Sequence, residues 1–174
     1  MRRSQATYFG GQSEIDGSQL FSNDSTNWLG LIDEEHDNFR AADAASDHAR
    51  LIYALAIIAQ HKEQYEKANV LFLESLSDFR ELGNKRGIAE CLAGIAGLAA
   101  VLGALVWALP LTSAAEALIT SFGAAWWPAD RVEFERTVEL LQEGIDEDEF
   151  ARLWTAGQAM NMGQAIDYAL GERA

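Results

Sequence analysis

The chain is poor in three kinds of residue on which several classes of protein depend. Only one of its 174 residues is cysteine, which cannot form a disulfide within the chain, and only two are proline. Thirteen basic residues stand against 27 acidic ones, and the net charge of −14 repels phosphate backbones and anionic lipid head groups. We therefore expect a reducing, cytoplasmic setting and no direct binding to nucleic acid, and the charge disfavours association with a membrane.

Residue patterns typical of catalysis are also missing. The sequence contains no G-x-x-x-x-G-K-[ST] loop that could cradle a phosphate. The serines Ser75, Ser77 and Ser113 fall inside predicted helices, away from the strained turn that places a nucleophile, and Cys91 lies in an apolar run beside Glu90. We interpret the acidic run at residues 33–37 as a solvated helix face. The sequence thus predicts no catalytic residue, no metal site and no cofactor.

What is present is a sustained helical period in a chain that is 49% hydrophobic. Residues 1–24, rich in Ser, Gly, Gln and Asn, predict a disordered leader, and residues 25–174 predict one all-α domain. Eight helices are expected, beginning near residues 25, 49, 65, 87, 104, 128, 147 and 162. Gly83 and Gly157 are predicted helix stops, and Asp146 and Asn161 are predicted N-caps.

Two segments repeat the same arrangement of large and small residues at a separation of 40 residues. The first set is Leu55, Ala56, Tyr65, Ala68 and Phe72, and the second is Ile95, Ala96, Gly103, Leu105, Ala108 and Thr112. Small residues at these positions let paired helices approach closely. The spacing predicts tetratricopeptide-like antiparallel hairpins, an α-α superhelix closed by a C-terminal helical cap.

Three stretches resemble the C-terminal, tetratricopeptide-like helical region of bacterial signalling ATPases and LuxR-type transcriptional regulators. They are Trp28–Ala42, Tyr65–Ala100 and Pro128–Leu170. In that family the helical region follows a nucleotide-binding module, whose phosphate loop is missing here, as is a DNA-reading helix. The resemblance implies a stand-alone or truncated relative of the regulatory end, with a protein or peptide as its partner.

The apolar residues of the fifth predicted helix indicate an interface. They occur all around that helix, so leaving them in water would expose an unusually large patch, and we expect a homodimer anchored by Trp107. The aromatic patch of Phe122, Trp126 and Trp127 is either an exposed binding platform or a hydrophobic joint between the repeat and the C-terminal helices. The predicted interaction residues are Leu105, Trp107, Leu109, Leu111, Trp126 and Trp127.

Two alternatives remain open. The stretch from Cys91 to Ala115 carries no charge across 25 residues, which is long enough to insert into a membrane, although glycines and Pro110 interrupt it. The second alternative is a helical ligand-binding protein or enzyme whose site residues are dispersed along the sequence. The leading hypothesis is a non-catalytic protein-interaction module.

Overall fold

The described part of the chain is entirely helical. The computed structural model describes residues 25–171, with side chains described from residue 41 onward. These residues form seven α-helices and no strand, which confirms the all-α prediction. The helices are α1 (Ser25–His61), α2 (Tyr65–Glu81), α3 (Lys85–Val101), α4 (Leu105–Ser121), α5 (Pro128–Gly144), α6 (Glu147–Gln158) and α7 (Met162–Leu170). The predicted leader at residues 1–24 lies outside the described residues, and the chain divides into units at residue 40, so packing is described for 41–171.

A left-handed residue recurs every 20 positions after each of the first four helices. These residues are Glu63, Gly83, Gly103 and Gly123, with φ of 58°, 64°, 86° and 64°. In each turn the next residue's amide donates to the carbonyl five residues back, as from Ala104 to Ala99 at 2.9 Å. Glycine adopts this conformation without a Cβ clash. Helices α2, α3 and α4 consequently have 17 residues each, and the tetratricopeptide-like superhelix stays a prediction.

Small residues bring neighbouring helices together around the core. The helices pack largely antiparallel to their neighbours, and the small residue in each predicted hairpin helix is fully buried. These residues are Ala56, Ala68, Ala96 and Ala108. Gly87 and Gly94 on α3 lie directly against the rings of Phe79 and Phe72, where a Cβ would overlap the ring. Close packing of α2 on α3 therefore depends on these glycines.

Two sequence-based helix boundaries are wrong. The predicted helices near residues 25 and 49 are one continuous helix, α1, because residues 43–48, which separate the two predicted apolar stripes, include neither glycine nor proline to interrupt it. Gly157 does not end α6, which continues to Gln158. The predicted caps are confirmed: Asp146 accepts from the Glu149 amide at 3.0 Å, and Asn161 forms a capping box with Gln164.

The uncharged stretch from Cys91 to Ala115 is divided between two helices. The turn at Gly103 separates α3 from α4, so the stretch folds back on itself as a hairpin instead of forming one long helix. Within residues 25–171, no helix has the length and apolar character needed to cross a membrane.

Candidate protein-interaction surface

Helix α6 packs on α4 and approaches it very closely at Gly157. Gly157 faces α4 there, and an added Cβ would overlap Ser113 Oγ and the carbonyl oxygen of Pro110. The Ser113 hydroxyl lies 2.9 Å from the Trp154 carbonyl oxygen and 3.1 Å from that of Pro110, within donating distance of both. The small residue and this buried hydroxyl fix the position of α6 on α4.

Because α6 is held against α4, it diverges from α5. Residues Ile145 and Asp146 connect α5 to α6 in extended conformation, without the left-handed turn that follows the first four helices. An open groove of about 940 Å³ lies between α4, α5 and α6. We call it the α5–α6 groove. Its apolar and small lining residues are Phe134, Val138, Ile145, Phe150, Ala151 and Trp154.

Aromatic stacking builds the apolar part of the α5–α6 groove. The rings of Phe150 and Trp154, one turn apart on α6, stack with centroids 5.5 Å apart. On the facing wall, Phe134 stacks on Trp126 at 4.9 Å. Phe134 is buried, whereas Phe150 and Trp154 are half-buried. The groove thus presents rings that are held from behind and partly open to solvent.

The polar part of the groove lining is acidic. It consists of Glu116, Glu135, Glu139, Gln142, Glu147 and Thr155. Burial raises the pKa of Glu116, and the Arg131 guanidinium opposes this effect. Glu135 accepts from Arg131 Nε at 2.7 Å in an exposed pair on α5. In the described structure the lining includes four glutamates and neither lysine nor arginine.

No relative assigns a function to this groove. The chain matches no protein-family model, no curated protein and no solved structure. The interpretation of the α5–α6 groove therefore depends on its geometry and charge.

The expectation that α4 exposes apolar residues around its circumference is wrong for Leu109 and Leu111. Both are fully buried, because α4 packs against α3, α5, α6 and α7. A helix that is apolar all around is typical of a buried position, and the other helices of this chain supply the cover. Leu105 is half-buried, and Val106, at 52% exposure, is the most open apolar residue of α4.

Trp107 is half-buried against the C-terminal helix. Its ring stacks on that of Tyr168 with centroids 5.4 Å apart, and the Tyr168 hydroxyl donates to the Trp107 carbonyl oxygen at 3.1 Å. Trp107 therefore has an intramolecular role in docking α7 on α4. A substitution here would disturb that docking as well as any dimer.

Trp126 and Trp127 have different surroundings. Trp126 is half-buried and stacks on Phe134, as expected of a joint to the C-terminal helices. Trp127 is 50% exposed, but two guanidinium groups cover its ring. The Cζ atoms of Arg86 and Arg50 lie 4.4 Å and 5.5 Å from its centroid. The structure does not bring Trp127 together with the α5–α6 groove.

These two arginines belong to a charged cluster that joins α1, α3 and α5. Both pair with Glu90, whose side chain is only 1% exposed, and Arg50 also contacts Asp130 at 3.0 Å. Burial lowers the pKa of Arg50, but its pairs with Glu90 and Asp130 outweigh this effect and raise it. Two cations and two carboxylates balance in formal charge, so the cluster serves packing and leaves no surplus charge for a ligand.

The other polar features are smaller. A cleft between α1, α3 and α5 has about 10 Å³ of free space, roughly enough for one water molecule. Cys91 is buried, and burial raises the pKa of its thiol to about 12. Among the described residues, histidine, cysteine and carboxylate side chains form no group that could hold a metal ion.

The sequence identified the apolar residues of the groove but not their arrangement. Phe134, Val138 and Ile145 recur at spacings of four and seven residues along α5 and its C-cap, and Phe150 and Trp154 are four residues apart on α6. In the structure both sets line the α5–α6 groove and remain partly separated. The four lining glutamates, which we call the glutamate rim, were the signal that could have identified the groove. In the sequence, glutamates flank the apolar residues of both α5 and α6.

Proposed function

We propose that this chain is a non-catalytic protein-interaction module that binds a protein or peptide through the α5–α6 groove. The observation that carries the proposal is an open groove of about 940 Å³ whose stacked aromatic rings are partly accessible. Half-buried aromatic residues are enriched among those that dominate binding energy at interfaces. The resemblance of the 40-residue hairpins to tetratricopeptide repeats, and of three stretches to the regulatory end of bacterial signalling ATPases, supports the same class of function.

A substitution that fills the groove tests this proposal. Ala151 lines the groove on α6 and is exposed, so Ala151→Arg should obstruct binding without disturbing the core. Ala156→Arg is the matched control, because Ala156 is exposed on the same helix outside the groove lining and the charge change is identical.

The measurement is quantitative capture of binding partners from source-cell extract by the full chain and by both variants. We expect Ala151→Arg to lose the proteins that the full chain and Ala156→Arg retain. Equal capture by all three would contradict binding through this groove. ATP hydrolysis by the purified chain, confirmed by loss of activity on substitution of a groove residue, would contradict a non-catalytic role.

The predicted homodimer through α4 stays a prediction, with a smaller surface than the sequence indicated. Leu109 and Leu111 are buried within the chain, which leaves Val106 as the most exposed apolar residue of α4. Val106→Glu is a cleaner test than Trp107→Glu, because Trp107 also stacks on Tyr168. Light scattering should show a dimer for the full chain and a monomer for Val106→Glu.

A further inference from the structure

The dimensions of the α5–α6 groove suit one helix better than a small ligand. It is open to solvent, whereas small-molecule sites usually enclose most of their ligand. Two turns of a helix about 10 Å across occupy roughly 850 Å³, close to the 940 Å³ of the groove. The α5 wall has 17 residues, about 25 Å of helix, so a partner helix of three to four turns has a wall along its full length.

The groove surface calls for an apolar face on the partner. Phe134 and Ile145 form the buried bottom, each at 8% exposure, and Val138, Phe150 and Trp154 rise from it half-buried. An amphipathic helix presents such a face through residues spaced by three and four positions. Its apolar stripe would cover the stacked rings of Phe150 and Trp154.

The negative charge of the groove indicates which charge the partner helix should carry beside its apolar face. Glu135, Glu139 and Glu147 are exposed around the apolar residues, and Glu116 is partly buried beside them. A second copy of this chain would bring the same glutamates and another charge of −14. Like charges facing each other across an interface are unfavourable, so a basic partner fits and a second copy does not.

Glu116 supplies an independent reason for a cationic partner. Burial disfavours its carboxylate form and raises its pKa, with Arg131 acting in the opposite direction. An ammonium or guanidinium group placed in the groove would stabilise the carboxylate that burial has made unfavourable. The Glu116 side chain lines the groove, so a positive charge bound there would offset the energetic cost of burying its carboxylate.

We propose that the α5–α6 groove binds a basic amphipathic helix of a partner protein, with apolar residues on the Phe150–Trp154 stack and lysine or arginine side chains on the glutamate rim. This inference specifies the partner class of the proposed function and depends on it. Rim glutamates would contribute orientation and salt-sensitive attraction, and the stacked rings would contribute most of the affinity.

The test measures fluorescence anisotropy of a labelled synthetic peptide with the full chain. The probe is a helical peptide of about 14 residues with leucine and phenylalanine at spacings of three and four and lysine on both flanks. A second peptide replaces every lysine by glutamate. On the protein, Glu139→Gln with Glu147→Gln neutralises two rim charges. Glu143→Gln with Asp148→Asn makes the same change on the same helices outside the groove lining.

We expect the lysine peptide to bind at least about tenfold more tightly than the glutamate peptide, and the rim variant to weaken binding about fivefold. The control pair should change it less than twofold, and Ala151→Arg should abolish it. Blockage by Ala151→Arg with equal affinity for both peptides would overturn the basic partner but leave groove binding standing. Binding that Ala151→Arg does not affect would overturn both proposals. Absence of binding by either peptide would overturn the basic helix alone, since the capture experiment tests the groove separately.

Discussion

The helices before Gly123 and those after it differ in their connecting turns and in how they pack on their neighbours. From Glu63 to Gly123 a left-handed turn returns every 20 residues, and α2, α3 and α4 are equally long. After Gly123 the connection from α5 to α6 is extended, and α6 follows α4 instead of packing fully on α5. The regular part buries the small residues at its helix contacts, and the part after Gly123 leaves an apolar groove open.

The apolar groove lies where the 20-residue recurrence of left-handed turns ends. In the regular part, alanine and glycine at the helix contacts leave no gap between neighbours. In the part after Gly123, Gly157 allows α6 to approach α4 closely. Helix α6 consequently has less contact with α5 than with α4. The apolar groove thus lies where the close contact of α6 with α4 leaves α6 apart from α5.

The largest expected effect is in the regular part. Ala68 is fully buried, so Ala68→Arg places an unpaired charge between helices and should lower the free energy of unfolding by about 3–5 kcal/mol. Ala54→Arg, at an exposed position of α1, should change it by less than about 0.5 kcal/mol. Chemical denaturation of both variants measures this, and a wild-type midpoint for Ala68→Arg would show that the hairpin packing is wrong.

The next effect concerns the tight α4–α6 contact. Gly157→Ala should lower stability by about 1–3 kcal/mol, because its Cβ would overlap the Pro110 carbonyl oxygen and Ser113 Oγ. Gly163→Ala is the control: its added Cβ meets only Asn161 Oδ1, at 3.4 Å, and it should be neutral or slightly stabilising. If thermal denaturation gives equal midpoints for the two variants, the crossing of α6 on α4 is not as close as described.

A smaller, stabilising effect is expected at the first left-handed turn. Glu63 has the conformation that glycine has in the three later turns, so Glu63→Gly should raise stability by about 1 kcal/mol. The reverse change, Gly103→Ala, should lower it by about the same amount, because no other atom lies near its Cβ position and only the backbone conformation opposes it. Opposite shifts in melting temperature would confirm that the four turns are equivalent, and shifts of the same sign would contradict it.

The smallest effect is a pH dependence in the groove. Because burial raises the pKa of Glu116, its protonated form favours the folded state, and this stability is lost as the pH rises from about 4.5 through the raised value. Glu116 is only partly buried and water still screens its carboxylate, so Glu116→Gln should gain less than about 0.5 kcal/mol at pH 7 and nothing at pH 4. Denaturation across this pH range, with exposed Glu143→Gln as control, measures it. A larger gain at pH 4 than at pH 7 would reverse the assigned sign.

Much of the fold could be predicted because its signals are local. Gly83 and Gly103 mark left-handed helix ends, Pro128 begins α5, and Asp146 and Asn161 cap the helices that follow them. Each acts within one turn of the chain, so the residue type is sufficient. The continuity of α1 was missed because its apolar residues form two successive stripes, which we interpreted as two helices. The backbone is helical throughout.

The groove could not be predicted because it depends on distances between helices. The sequence shows that Val138 and Trp154 belong to apolar stripes, but either stripe could have closed on the other. Contacts of Ser113, Pro110 and Gly157 decide that α6 follows α4. The burial of Leu109 and Leu111 has the same origin, since four surrounding helices supply a cover that the sequence assigned to a second copy.

The most direct test of the account is the response of the tryptophan indole N–H signals to the lysine-flanked helical peptide. The chain has five tryptophans, of which Trp154 lines the α5–α6 groove and Trp107 and Trp127 do not. In ¹H–¹⁵N spectra of the full chain, assigned with single Trp→Phe variants, we expect the Trp154 signal to shift in proportion to bound peptide while those of Trp107 and Trp127 stay in place. A shift of Trp107 or Trp127 with Trp154 unchanged would contradict binding of the peptide in the α5–α6 groove.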